Sequence, residues 1–135
     1  MFISHDDILK DCVPMGLNEF FSHHREAHTV PAKDVILIRA TIESGEGHAF
    51  HYHEDREEFL YILDGKIEQW VGEEKKILSA GDVVYVPPGV VHASFNVGDD
   101  EAKLLAIFGN LSSSAELAVD VSEQEPWCSL RQQSS

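Results

Sequence analysis

Cysteine is scarce in this chain, and basic residues are few beside the acids. Two cysteines, Cys12 and Cys128, stand near opposite ends of 135 residues. Two do not make a disulfide framework, and neither lies in a metal-type spacing, so both are expected to be reduced structural thiols. Lysine and arginine together number 10 against 24 acids, a formal net charge of −14. Such a surface repels phosphate backbones and anionic bilayers, which argues against nucleic-acid and membrane partners. No apolar run approaches the roughly 20 residues of a membrane span. The opening "MFISHDDILKDCV" has no basic stretch followed by an apolar run, so no leader is read and a cytoplasmic location is expected. Small molecules and further copies of the chain remain as the expected partners.

Helix-period patterning is scarce as well, and what replaces it is β-rich. Residues 1–30 read as an N-terminal extension in which "DDILKDC" forms a short helical turn, with Asp6 as its cap. From Pro31 short apolar runs alternate with turn residues: "VILIRATI", "AFHYH", "EFLYIL", "KIEQWV", "DVVYVP", "VVHASFNV" and "AKLLAIFG". Short strands at this spacing predict an all-β sandwich or barrel over 31–110. The segment 111–135 completes the chain, its end expected to be mobile although "ELAVDV" and "EPW" could dock.

Asp64-Gly65 between two strand-like runs is a strong hairpin signal. It predicts that Ile62 faces Ile67, Leu60 faces Gln69 and Glu58 faces Val71. One face then carries Glu58, Leu60, Ile62, Ile67, Gln69 and Val71, and the other Phe59, Tyr61, Leu63, Lys66, Glu68 and Trp70. Both are largely apolar, so both are expected to be covered, one by a second sheet and one by packing or a partner subunit. A carboxylate at Glu58 on the inner face needs a charged partner or a metal.

The imidazoles are the chemical content. In "HYHEDREEF", His51 and His53 share one strand face by the period of two. Gly45, five residues, His51, one residue, His53, four residues, Glu58, six residues and Gly65 form one set. Gly81, five residues, Pro87, one residue, Gly89, two residues, His92, three residues and Asn96 form a second. These sets resemble the two motifs of the cupin family, G-x5-H-x-H-x(3,4)-E-x6-G and G-x5-P-x-G-x2-H-x3-N, at all ten specified positions. The resemblance spans residues 45–96, and the β-rich flanks extend it.

The resemblance implies an antiparallel double-stranded β-helix, the jelly-roll or cupin barrel. It also implies that His51, His53, Glu58 and His92 ligate one divalent transition-metal ion. Three imidazoles and a carboxylate suit Fe, Mn, Ni, Zn or Cu without choosing among them. Glu57 rivals Glu58 as the carboxylate, but the spacing to Gly65 and the inward face favour Glu58. Gln69, Ser94 and Asn96 are candidates for substrate contact, with backbone scaffolding as the competing role. His5, His23, His24, His28 and His48 lack ligand spacing and read as surface residues, His48 being the one close to the ligand strand. Phe59, Tyr61 and Trp70 read as packing or dimer surface. By family resemblance the function expected is a metal-dependent, dioxygenase-like enzyme acting on a small organic molecule, most naturally as a homodimer. A non-catalytic module for an acid or sugar, and a metal-dependent isomerase or decarboxylase, are the alternatives.

Overall fold

In the computed structural model, which describes residues 1–24, 27–110 and 118–133, the alternating runs become thirteen strands. They are β1 (Leu9–Val13), β2 (Gly16–Phe20), β3 (His23–His24), β4 (Ala27–His28), β5 (Ile36–Ile42), β6 (Gly47–Tyr52) and β7 (Glu58–Asp64). Then come β8 (Lys66–Val71), β9 (Glu74–Ser79), β10 (Val83–Val86), β11 (His92–Asn96), β12 (Ala102–Phe108) and β13 (Val119–Asp120). A 3-10 turn over His5–Asp7 is the expected N-terminal helical turn, capped by the side chain of Ser4 rather than Asp6. The helix α1 (Trp127–Gln133) follows β13. Residues 111–117 and 134–135, and with them the expected mobile end, lie outside the described residues, as do the side chains of His23, His24 and His28.

Two antiparallel sheets face each other. One runs β1-β2-β5-β12-β7-β10 and the other β13-β6-β11-β8-β9. Period-two alternation sends Ile36, Ile38, Ala40 and Ile42 of β5, Leu60 and Ile62 of β7, and Leu104 and Ala106 of β12 into the space between them, where Ile67 of β8 meets them. Ile42, Ile62 and Ile67 have no solvent exposure at all. The architecture is therefore all-β, a double-stranded antiparallel barrel. The segment before Pro31 joins it directly, since β2 pairs with β5 from Gly16↔Ile42 to Phe20↔Ile38.

The predicted hairpin does not form. β7 pairs with β12 and β10, whereas β8 pairs with β11 and β9 in the opposite sheet. Asp64-Gly65 is a corner across which the chain leaves one sheet for the other. Gly65 has φ +92°, and a Cβ there would sit 2.8 Å from backbone and side-chain carbons of Ala102. The left-handed backbone and the close approach to β12 explain why glycine stands there. The inward parity nevertheless holds, because both sheets share one interior: Glu58, Leu60, Ile62, Ile67 and Gln69 are all buried.

The two outer faces differ. Behind the five-stranded sheet, Trp70 packs with Phe50, Ala93 and Val121, covered by Tyr52, Phe95, Trp127 and Leu130. The tail thus supplies the cover: Trp127 of α1 lies 5.6 Å from the Phe50 ring, and Arg131 sits over Phe95 while reaching Glu68 at 2.8 Å. Behind the six-stranded sheet, Phe59, Tyr61, Val83, Tyr85 and Ile107 are exposed.

Candidate metal centre

Strand register builds the site. β6 and β11 pair with His51 directly opposite His92, and His53 stands one residue past the end of β6. Pro87-Pro88-Gly89 turns the chain into β11, and the Gly89 N–H donates to the His53 carbonyl at 2.8 Å, tying the two ligand-bearing segments together. Glu58 opens β7 in the facing sheet and points across. The three imidazoles each offer a nitrogen within 4.8 Å of the others. Glu58 Oε1 lies 3.0 Å from His92 Nε2 and 3.6 Å from His53 Nε2. The three imidazoles singled out from the sequence therefore converge, and Glu58 adjoins two of them, His53 and His92. Glu57, the rival carboxylate, is on the surface and accepts a hydrogen bond from Tyr85 at 2.7 Å.

The rings are held from behind. His51 Nδ1 lies 2.6 Å from the Ala49 carbonyl and His92 Nδ1 3.0 Å from the Val90 carbonyl. A carbonyl oxygen only accepts, so each Nδ1 carries the proton and each Nε2 lone pair faces the centre, as metal-ligating histidines are oriented. His53 is stacked on Phe108, ring centres 5.3 Å apart and planes 11° from parallel.

This geometry makes a chemical demand. The Nε2 of a neutral His92 and the Glu58 carboxylate would bring two lone pairs together at 3.0 Å, and His92 Nε2 makes no hydrogen bond of acceptable geometry. A cation is required at the meeting point, either a proton or a metal ion. A borderline N₃O donor set fits a first-row divalent ion. Burial holds the His51 imidazolium unfavourable and, with repulsion from His92, lowers its pKa to about 4. Burial works the other way on Glu58, but the close approach of the His53 and His92 rings, favourable to a carboxylate, outweighs it and holds the carboxyl at about 2. Neutral imidazole beside carboxylate is the state a metal needs.

The centre opens on a cavity of about 420 Å³ within the barrel. Its walls come from alternate residues of β2 (Asn18, Phe20), β5 (Ile38, Ala40), β7 (Leu60) and β12 (Leu104, Ala106, Phe108). Ser94 lines it. Gln69 lies behind Ser94 and outside the lining, accepting from Ser94 Oγ at 2.6 Å and donating to the Trp70 carbonyl at 3.0 Å. Asn96 is outside the lining as well: its amide donates to the carbonyls of Ile42 and Asp100, and its oxygen accepts from Gly98 N–H.

His48 also lines the cavity. Simple alternation from His51 would turn it outward. The β6–β11 register slips between His92↔His51 and Ser94↔His48, and the irregularity brings residues three apart to the same side. Burial lowers its pKa. Val13 at the end of β1, Pro14 and Met15 of the β1–β2 turn, and Ala118 and Asp120 from the tail complete the lining. Nothing in their sequence spacing marks them, because sheet order brings them there.

A barrel of two facing antiparallel sheets with a cluster of three imidazoles beside a carboxylate defines the class as a small β-barrel with a metal-competent centre. Residues 38–108 match the model of the cupin domain, and the chain belongs to that family. Polyketide synthase CurC of Streptomyces cyaneus is 34% identical over 77 residues, covering 57% of this chain and 50% of that one. Quercetin 2,3-dioxygenase of Bacillus subtilis is 30% identical over 127 residues, covering 81% of this chain and 37% of that one. The chain thus spans half or less of either relative. Among solved structures, KdgF from Halomonas sp. superposes with a TM-score of 0.68 at 21% identity, covering 81% of this chain and 94% of that one, a likeness of fold.

Proposed function

We propose that this chain is a metal-dependent enzyme of the dioxygenase-like kind, acting on a small organic molecule. One divalent transition-metal ion is held by His51, His53, Glu58 and His92. The observation that carries the reading is the 3.0 Å approach of Glu58 Oε1 to His92 Nε2 with both rear Nδ1 atoms of the His51–His92 pair committed to carbonyls. Bound there, such an ion supplies Lewis acidity and an open coordination position facing the cavity. The chain supplies the rest. The apolar walls exclude water, the rear hydrogen bonds fix ring orientation, and His48 and Ser94 offer polar contacts to a bound molecule. Relationship to a protein named quercetin 2,3-dioxygenase supports the oxidoreductase reading, and relationship to one named oxalate decarboxylase keeps decarboxylation as the second.

Two measurements test it. Purified protein analysed for metals is expected to hold about one divalent ion per chain, and His92→Ala to weaken metal binding by more than about a hundredfold, beyond what loss of a supporting residue costs. Metal-loaded protein is expected to consume O₂ with a member of an enol and catechol panel. Full metal content in His92→Ala, or binding without turnover across the panel, counts against the enzyme.

The same proposal includes a homodimer formed through the exposed face of the six-stranded sheet. Supporting it, Tyr61 lies opposite Val83, and Phe59 lies between Tyr85 and Ile107, so the exposed apolar side chains are contiguous.

A further inference from the structure

The metal-competent residues line part of the cavity, and the remainder says what kind of molecule fits. We infer that the substrate is a compact, largely apolar ring compound that presents a single phenol or enol hydroxyl to the centre, and that the β1–β2 turn selects it; this rests on the metal reading above.

Size comes first. About 420 Å³ is the liquid volume of roughly fourteen waters, room for a two-ring molecule and more than a two-carbon diacid needs. Wall chemistry comes second. Most of the lining besides the histidines is apolar, carried by Met15, Phe20, Ile38, Leu60 and Leu104, with Phe108 stacked on His53. A polyol in that space finds only Asn18, His48, Ser94 and Asp120 as partners beyond the centre and leaves its other hydroxyls against apolar wall.

Charge comes third. Among the described residues no lysine or arginine lines the cavity, while Glu58 and Asp120 both do. A divalent ion beside one carboxylate keeps one unit of positive charge, which one phenolate or enolate oxygen neutralises. A phosphate or a dicarboxylate brings more negative charge than that, into a space whose lining already holds Asp120. The Asp120 carboxylate is fixed there by hydrogen bonds from Ser122 N–H at 2.8 Å and Ser122 Oγ at 2.6 Å. His48 and Ser94 lie in register opposite each other on the wall, and with the Ser94 O–H given to Gln69 it is His48 that is left to hydrogen-bond the phenolate or enolate oxygen.

The selecting wall stands outside the family-matched residues 38–108. Val13 ends β1, and Pro14 and Met15 form the β1–β2 turn, which is tethered to the end of β5 by the Glu43 N–H donating to the Met15 carbonyl at 2.9 Å. Met15 is thus a specificity-determining residue that lies outside the strands carrying the metal ligands.

Protein loaded with Co(II), whose visible spectrum reports its own ligands, is titrated with 2-naphthol, oxalate and glucose 6-phosphate. 2-Naphthol is expected to change the spectrum and to bind at least about tenfold more tightly than either anion. Met15→Asp is expected to lower 2-naphthol affinity roughly tenfold or more with the Co(II) spectrum and stoichiometry unchanged, through lost apolar contact, and Met15→Leu to restore it. Tighter binding of oxalate or glucose 6-phosphate, or an unchanged 2-naphthol affinity in Met15→Asp, overturns the substrate class. A wild-type protein that takes up no Co(II) overturns the metal reading itself, and the substrate class with it.

Discussion

Glu58 and His92 carry more of the chemistry than any other pair of side chains. A carboxylate among buried imidazoles has a pH consequence whose sign follows from the two shifts. His51 is depressed from 6.5 to about 4 and Glu58 from 4.5 to about 2. Below pH 6.5 the unfolded chain takes a proton on His51 that the folded chain refuses, and below 4.5 it takes one on Glu58. The stability both groups contribute is therefore complete above pH 6.5. The His51 share is lost as pH falls to about 4, and the Glu58 share as it falls on towards 2. Thermal melts of the metal-free protein are expected to show Tm falling between pH 7 and pH 4, with metal-loaded protein holding its Tm to lower pH before release. A flat profile for the metal-free protein over that window would contradict the assignment. At this scale the sequence was most legible, because ligand spacing follows from strand period. His48 was not placed in the cavity, since a register slip changes the side a residue faces without any change in composition.

Elements were legible as strands and illegible as partners. Asp64-Gly65 has the composition of a tight hairpin, and only the position of β12 shows that the chain turns a corner there. Local sequence fixes a backbone bend, whereas which strand lies alongside is decided by the whole barrel. The inward list survived that error because side-chain parity does not depend on the partner. The tail shows the reverse case. "EPW" was readable as a docking segment, but its role as lid over Phe50 and Trp70 depends on α1 arriving behind the five-stranded sheet. Trp127→Ala is expected to remove about 2 kcal/mol of stability, below the 3–5 of a fully buried tryptophan because Trp127 is half-buried. Urea unfolding measures it. A loss under about 0.5 kcal/mol, the size of an ordinary surface substitution, would show that α1 does not cover that cluster in solution.

For the molecule as a whole, an excess of acids surrounds a barrel with one covered and one bare apolar face. Tyr61 at 40% and Phe59 at 46% exposure sit at the centre of the bare face. In a twofold dimer each substitution acts twice, so Tyr61→Glu places two like charges in the proposed interface. Sedimentation velocity is expected to give a dimer for the wild type and a monomer for Tyr61→Glu, with unchanged metal content. A wild-type monomer at micromolar concentration would remove the dimer from the account. Fold class was readable at this scale from strand spacing. The use of the N-terminal and C-terminal segments as cavity walls was not, because both reach the site only through sheet order.

The convergence of four donors on one ion is the claim under all of these. A crystal of the protein grown with Co(II) and measured at the cobalt edge tests it directly. One anomalous peak is expected, within about 2.0–2.2 Å of nitrogens of His51, His53 and His92 and of a Glu58 oxygen. No peak among these four side chains, or a peak held by other residues, would contradict it.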